Sequence, residues 1–542
     1  MNRSSAFGSS FSARWSDRPE GARATSPGED AHAAAHGAAG AVADSAGGAA
    51  DDADDDLGAF LTAFNRLAEL ASRHVHEPRG SSRQPLVPVL EEHLGTDPCS
   101  LPVLTEILSP FRAADADVAL EHVIAAHGGG TVIGIGGGDQ RWHSGLSEIL
   151  QAAGHYGQFP VGPVDYQTVP VGPDAERACV SFGLHLFRFD DGTHGPRPVA
   201  VLQRAAKSNY GGMPQLEVIA PVDGLAAAVL AGVREAMNAR SVLRGQVVTF
   251  AASQFEPGSG GVTFVRRPDV GASDVVLPEG LLGRVERHVL GIARHRAELV
   301  AAGQHLKRGV LLYGPPGTGK THTVRYLVGA AQDATVILLS GMSLQLVSQA
   351  ADTARALQPA IVVLEDCDLV AEERSHRTAS PLLFEVLDAL DGLAADADVV
   401  FLLTTNRADI LEPALAQRPG RVDLAVEIPL PDTEARRALL ELYAGDLPFS
   451  AAVRDEVATT AAGTTASFVK ELVRRAVLRA VEGGDAAAVG DEDLRTSVAE
   501  MMADGGALTR VLLGGEAERP VRSPTSGGAS FGWTAAPGLA SG

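Results

Sequence analysis

Gly309-Val310-Leu311-Leu312-Tyr313-Gly314-Pro315-Pro316-Gly317-Thr318-Gly319-Lys320-Thr321 is the stretch on which the fold turns. A short apolar strand runs into a glycine-rich loop. Helical spacing follows, with apolar residues at Val324, Leu327 and Val328. Glycine adopts positive φ at no steric cost, so successive backbone N–H groups can turn inward around phosphate oxygens. The helix that opens here aims its positive end at the anion. In this pattern Lys320 reaches the β- and γ-phosphates as a point charge, and Thr321 offers a hydroxyl to Mg2+. Gly314, Pro315, Pro316, Gly317, Thr318, Gly319, Lys320, Thr321 and the following His322 are therefore expected to bind ATP.

Three further motifs lie downstream. Ile361-Val362-Val363-Leu364-Glu365-Asp366 delivers two adjacent carboxylates at the end of a buried strand, where ligands bind in such sheets. One is expected to hold Mg2+ through water and the other to activate the attacking water. Thr404-Thr405-Asn406 ends the next apolar strand, where an amide can orient water against the γ-phosphate; a strand-terminal turn also favours Asn. Arg418-Pro419-Gly420-Arg421 puts two guanidiniums on a tight turn. An exposed pair of that kind is commonly solvated, yet a rigid turn is also what a transition-state arginine supplied to a neighbour needs.

From about residue 276 to 504 the chain resembles the AAA+ ATPases, and within them the AAA subfamily. The resemblance rests on the loop 314–321, the acids 365–366, Asn406 and the phrase Leu411-Glu412-Pro413-Ala414-Leu415-Ala416-Gln417-Arg418-Pro419-Gly420-Arg421-Val422-Asp423. It implies a P-loop α/β subdomain with a parallel sheet, a helical lid, and assembly of like subunits into a ring, commonly a hexamer. It also implies that Asn406 is sensor 1 and that Arg418 and Arg421 face the neighbour's nucleotide.

This chain departs from the family's pattern in places. The acids stand as Glu365 then Asp366, where the family usually has Asp then Glu. The stretch Gly341-Met342-Ser343-Leu344-Gln345-Leu346-Val347, in the place of the central pore loop, carries no aromatic residue. Gly463-Thr464-Thr465-Ala466-Ser467-Phe468 stands where the family has a turn near adenine. No His-Glu-x-x-His occurs, and the final residues lack the penultimate tyrosine with which proteasome-activating ATPases dock.

Five strand-like runs punctuate the region after 271: 309–313, 335–339, 361–364, 399–403 and 424–428. Each is followed by helical or loop material, which reads as a mostly parallel sheet. We divide the chain into an Ala-, Gly-, Ser- and Asp-rich tail (1–56), an N-terminal α/β or α+β domain (57–270), the large ATPase subdomain (271–435), the lid (436–504) and a second tail (505–542). Both tails have little to bury and are expected to be disordered. Leu57 to Ala71 reads as a helix. In the N-terminal domain, 198–202 and 215–219 read as strands, 225–237 as a helix, and 247–250 with 262–265 as a hairpin-like pair. The dense glycines of 128–138 bracket a short apolar stretch on both sides. A dinucleotide loop needs them spaced at a helix start, so a strand between two turns is the better fit.

Charge and composition narrow the function. Of 542 residues, 67 are acidic and 45 basic, a formal net charge of −22. Such a surface repels phosphate backbones, so neither nucleic acid nor an anionic membrane is an expected partner. Three scattered cysteines imply no disulfide framework. Met1-Asn2-Arg3-Ser4-Ser5 has no apolar core of a leader, and no apolar run reaches spanning length. A cytoplasmic, Mg-dependent ATPase is expected, with a self-assembled ring remodelling a protein partner recruited through the N-terminal domain. The alternative is a nucleotide-gated assembly or scaffold protein with slow hydrolysis.

Overall fold

The computed structural model describes residues 84–503, except 137–142, 157–158, 206–212, 252–260, 369–387, 390–391, 393, 395, 408–421 and 485–488, together with the isolated positions 63 and 66. The two expected tails and nearly all of the helix expected at 57–71 lie outside the described residues. Among the described residues, no helix is long and apolar enough to cross a membrane.

The first part of the chain wraps an antiparallel sheet in four helices: α1 (Leu86–Leu94), α2 (Ala113–Ala126), α3 (Leu146–Tyr156) and α4 (Leu225–Ala239). Its strands are β1 (Leu104–Ile107), β2 (Gly130–Ile135), β3 (Val161–Gly162), β4 (Asp165–Gly172), β5 (Ala175–Phe189), β6 (Arg197–Arg204) and β7 (Gln215–Ile219). The order is β1-β7-β6-β5-β2-β3, with β4 also on β5. Successive side chains of a strand point to opposite faces, and both faces here are covered. Leu184, Leu186, Ala200 and Leu202 pack under α1 and α3. Phe187, Phe189, Val199 and Val201 pack under α2 and α4. The glycine run behaves as a turn and a strand: Gly128 and Gly129 take φ of 95° and 86°, and β2 begins at Gly130.

The second sheet holds β8 (Val247–Ala251), β9 (Gly261–Val265), β10 (Arg308–Tyr313), β11 (Thr335–Ser340), β12 (Ala360–Glu365), β13 (Val399–Thr405) and β14 (Leu424–Glu427). Its order is β14-β10-β13-β12-β11-β8-β9. The five expected strands are parallel neighbours. Their nearly continuous apolar runs reflect burial on both faces. Helix α5 (Lys320–Ala330) covers one face with Val324, Leu327 and Val328, and α6 (Val347–Ala356) covers the other with Val347, Ala350 and Ala354.

The boundary expected at residue 270 needs correction. The hairpin β8–β9 is present, but β8 pairs in parallel with β11, so 247–265 extends the second sheet. The reason is burial: Val247, Val248 and Phe250 are nearly inaccessible and sit in the two cores of this sheet. Beyond the sheet, α7 (Thr433–Ala444), α8 (Ala451–Thr460), α9 (Ala466–Glu482) and α10 (Asp491–Met502) share one core and form the helical lid. Asp432, Ser450 and Thr465 cap the first three, each accepting a backbone N–H.

Candidate nucleotide site

The phosphate loop leaves β10 at Tyr313 and enters α5 at Lys320. Gly314, Gly317 and Gly319 take φ of 148°, 75° and 106°. A Cβ on Gly314 would lie 2.2 Å from the carbonyl oxygen of Ile428, so only glycine fits there. Thr318 closes the loop by donating its hydroxyl to the Pro315 carbonyl at 2.9 Å. Gly319 brings no side chain to cap α5, which leaves the opening of the helix turned toward an anion. Lys320 is 5% exposed and donates to the carbonyls of Gly314 (2.9 Å) and Pro315 (2.8 Å). Burial pushes its ammonium down from the ordinary value, against the pull of the carboxylates of Asp366 and Asp368. A buried lysine curled onto loop carbonyls, inside a cradle of positive-φ glycines, fits a phosphate chain as its partner.

Opposite the loop, Glu365 ends β12, with the Thr321 side chain near enough to act on its carboxylate. Burial raises the Glu365 pKa, as does Asp366; the Thr321 side chain and the charge of Arg325 pull it down. Thr321 and Glu365, both expected at the metal, are thus already together. A hydroxyl and a carboxylate are oxygen donors of the kind Mg2+ takes. Asp366 adopts φ 52°, a left-handed conformation that costs a residue with a Cβ about 1 kcal/mol. Its backbone N–H donates to Thr404 Oγ1 at 3.0 Å, and Asn406 Nδ2 reaches its Oδ1 at 3.5 Å.

Asp368 was not singled out from the sequence, yet it organises this corner. It is 6% exposed and accepts from Thr405 Oγ1 (3.0 Å) and the Asn406 N–H (3.2 Å). Its only sequence signal is its place two residues after Asp366 at the end of a buried strand. Ser467 was likewise quoted only as part of a lid turn. Its N–H (3.1 Å) and hydroxyl (3.3 Å) both donate to the Gly317 carbonyl, so the lid touches the phosphate loop. Beside that contact lies a cavity of about 190 Å3, lined by Val276, Leu277, Thr318, Leu430 and Ala466 among others. Its size and largely apolar lining suit a base.

His322 does not join the loop with its ring; Nε2 donates to the Asp274 carbonyl at 2.9 Å instead. Arg418 and Arg421 lie outside the described residues. The stretch 341–346, in the place of the pore loop, is a 3-10 turn with Met342 exposed, running directly into α6. A second cavity of about 200 Å3 opens at the other end of the strands, beside the buried pair Arg308–Asp398, and contains none of these site residues.

Residues 310–430 match the family model for the ATPase family associated with various cellular activities (AAA). Residues 310–430 are an AAA domain. Among curated relatives it is 34% identical over 276 residues to ATP-dependent zinc metalloprotease FtsH 3 of Sphaerobacter thermophilus, covering 48% of this chain and 55% of that one. It is 33% identical over 187 residues to the Cell division cycle protein 48 homolog of Archaeoglobus fulgidus, covering 32% of this chain and 25% of that one. It is 33% identical over 190 residues to 26S protease regulatory subunit 6A of Caenorhabditis elegans, covering 32% of this chain and 43% of that one. The chain thus spans about half the length, or less, of these relatives. What is shared is the AAA domain, whose P-loop α/β fold is the second sheet described above.

Proposed function

We propose that this AAA protein binds ATP with Mg2+, hydrolyses it at the site built by Lys320, Thr321, Glu365, Asp366 and Asn406, and uses the energy to remodel a protein partner. One observation carries the reading: Asn406 Nδ2 reaches Asp366 Oδ1 at 3.5 Å, whereas Glu365 lies on the Thr321 side, which supports different roles for the two acids. Glu365, beside Thr321, would hold Mg2+. Asp366, facing Asn406, would take the proton of the attacking water, while the amide orients that water. Bound Mg2+ neutralises charge on the transferring phosphoryl group. Lys320 would release the loop carbonyls and turn to the β- and γ-phosphates. The names of the relatives, which include a protease regulatory subunit and ATP-dependent proteases, support work on protein substrates. A ring of like subunits, with Arg418 and Arg421 completing a neighbour's site, is part of the same proposal, as is recruitment through the N-terminal domain.

A second reading is a nucleotide-gated scaffold with slow turnover. It is favoured by the residue at the base position, an Asp one methylene shorter than the Glu the family usually places there. Steady-state ATPase assays on wild type, Lys320→Ala and Arg421→Ala, with mass measured in ATP, decide between them. Turnover lost in Lys320→Ala and cut about 10^3-fold in Arg421→Ala supports the first reading. ATP-dependent assembly with negligible wild-type turnover supports the second. Appreciable wild-type hydrolysis that is unchanged in a folded Lys320→Ala variant overturns both.

A further inference from the structure

Helix α5, whose first turn is the phosphate loop's exit, is held along its length by residues 266–274, which leave β9 and run beside it. At the carbonyl end of the helix, the Arg267 guanidinium donates four hydrogen bonds to backbone oxygens. Nη1 reaches Val328 (2.6 Å) and Ala331 (2.8 Å); Nη2 reaches Gly245 (2.9 Å) and Ala334 (2.9 Å). The last carbonyls of a helix have no partner within it, and a cation there also complements the helix dipole. At the same end, backbone meets backbone: a Cβ on Gly329 would lie 2.6 Å from the Pro268 carbonyl oxygen. Val270 packs against the core that holds Val324 and Leu327. At the amino end, the His322 ring donates to the Asp274 carbonyl. The Asp274 side chain accepts the Gly271 N–H at 2.8 Å, which closes the end of the segment into a 3-10 turn.

A helix held at both ends by one segment is restrained from sliding along its axis. Its axial position decides where Lys320, Thr321 and the loop N–H groups stand. The segment lies before residue 310, outside the stretch matched by the family model. We infer that Arg267 is a positioning residue for nucleotide binding and turnover: it holds the carbonyl end of α5 and so sets the place of the phosphate loop. The inference rests on the ATPase reading above.

The test uses the full chain. Arg267→Met keeps the aliphatic stem and removes every donor. The readouts are the Kd for a fluorescent ATP analogue, KM, kcat and the melting temperature. Kd and KM are expected to rise together by about tenfold or more, because a shift of about 1 Å at the reacting groups is enough for that. Arg267→Lys should recover part of the loss. Gly329→Ala, which displaces Pro268 without removing a donor, should raise KM in the same direction; it keeps the test decisive if Arg267→Met fails to fold. Arg266→Met, at the neighbouring exposed arginine paired with Asp174, should leave Kd and KM unchanged. A lowered melting temperature with Kd and KM within about twofold of wild type in Arg267→Met and Gly329→Ala overturns the positioning role. Lys320→Ala, run in parallel, separates the two claims. If it abolishes binding while Arg267→Met changes nothing, only the positioning role fails. If Lys320→Ala itself binds normally, the ATPase reading fails.

Discussion

Asp366 and Thr404 are joined across two strand ends. The Asp366 N–H donates to the Thr404 hydroxyl at 3.0 Å, and at that point Asp366 stands at φ 52°. Thr404 is fully buried on β13, next to the strand that carries the two acids. The carboxylate facing Asn406 is therefore aimed by a hydroxyl on the neighbouring strand.

Thr404→Val keeps the shape and removes that acceptor. Asp366 is then free to relax toward ordinary backbone, away from Asn406. We expect kcat to fall about tenfold or more with ATP affinity kept. Thermal unfolding should show a loss of about 1–3 kcal/mol for the stranded N–H. A kcat equal to wild type in steady-state assays would show that the Thr404 bond does not aim the base.

The two acids should separate by phenotype. Glu365→Gln is expected to raise the Mg2+ concentration needed for half-maximal turnover. Asp366→Asn is expected to keep nucleotide and Mg2+ binding while turnover falls about 10^2–10^4-fold, the usual contribution of a positioned base. Titration of Mg2+ against ATPase rate, with binding of a fluorescent ATP analogue beside it, reads both. Reversed phenotypes would swap the two roles.

Burial raises the Glu365 pKa above its ordinary value. In the pH window just above that ordinary value, the folded chain holds a proton there that the unfolded chain has released. By linkage, the contribution of this group to stability is largest below the window and falls as pH rises through it. Glu365→Gln should remove that slope from the nucleotide-free protein. Mg2+ binding needs the carboxylate, so metal affinity should climb across the same window. Denaturant melts and Mg2+ titrations over a pH series check both signs.

Gly314→Ala puts a methyl into a position only 2.2 Å from the Ile428 oxygen, at φ 148°. The end of β10 or of β14 must move. We expect a stability loss of about 1–3 kcal/mol for the forced backbone, and nucleotide binding lost with it. Wild-type affinity in a folded Gly314→Ala variant would show that the loop tolerates the shift.

The ATPase sheet was legible because its strands are buried on both faces, so each reads as an unbroken apolar run between polar turns. Candidate site residues could be named where chemistry constrains residue type and spacing, as at Lys320, Thr321, Glu365, Asp366 and Asn406. Pairing choices were not. Val247–Phe250 announced a strand, but nothing local says that it docks on β11, reached only after β10 and the phosphate loop. Strands β4 and β5 were passed over because polar residues such as Glu176 and Arg177, together with Pro170 and Gly172, interrupt their patterns. Asp368 escaped for a different reason. Its importance comes from strand register, which sets it against Thr405 and Asn406, and register between strands so far apart in sequence is a tertiary property.

The contact of Ser467 with Gly317 bears on exchange of nucleotide. Both donors of one lid residue grip a carbonyl of the turn proposed to wrap the phosphates. A lid swinging outward must let go of that carbonyl, and the turn loses a brace at the same moment. Under the proposed function, departure of product and loosening of its cradle become a single mechanical event, with a pair of hydrogen bonds as its latch.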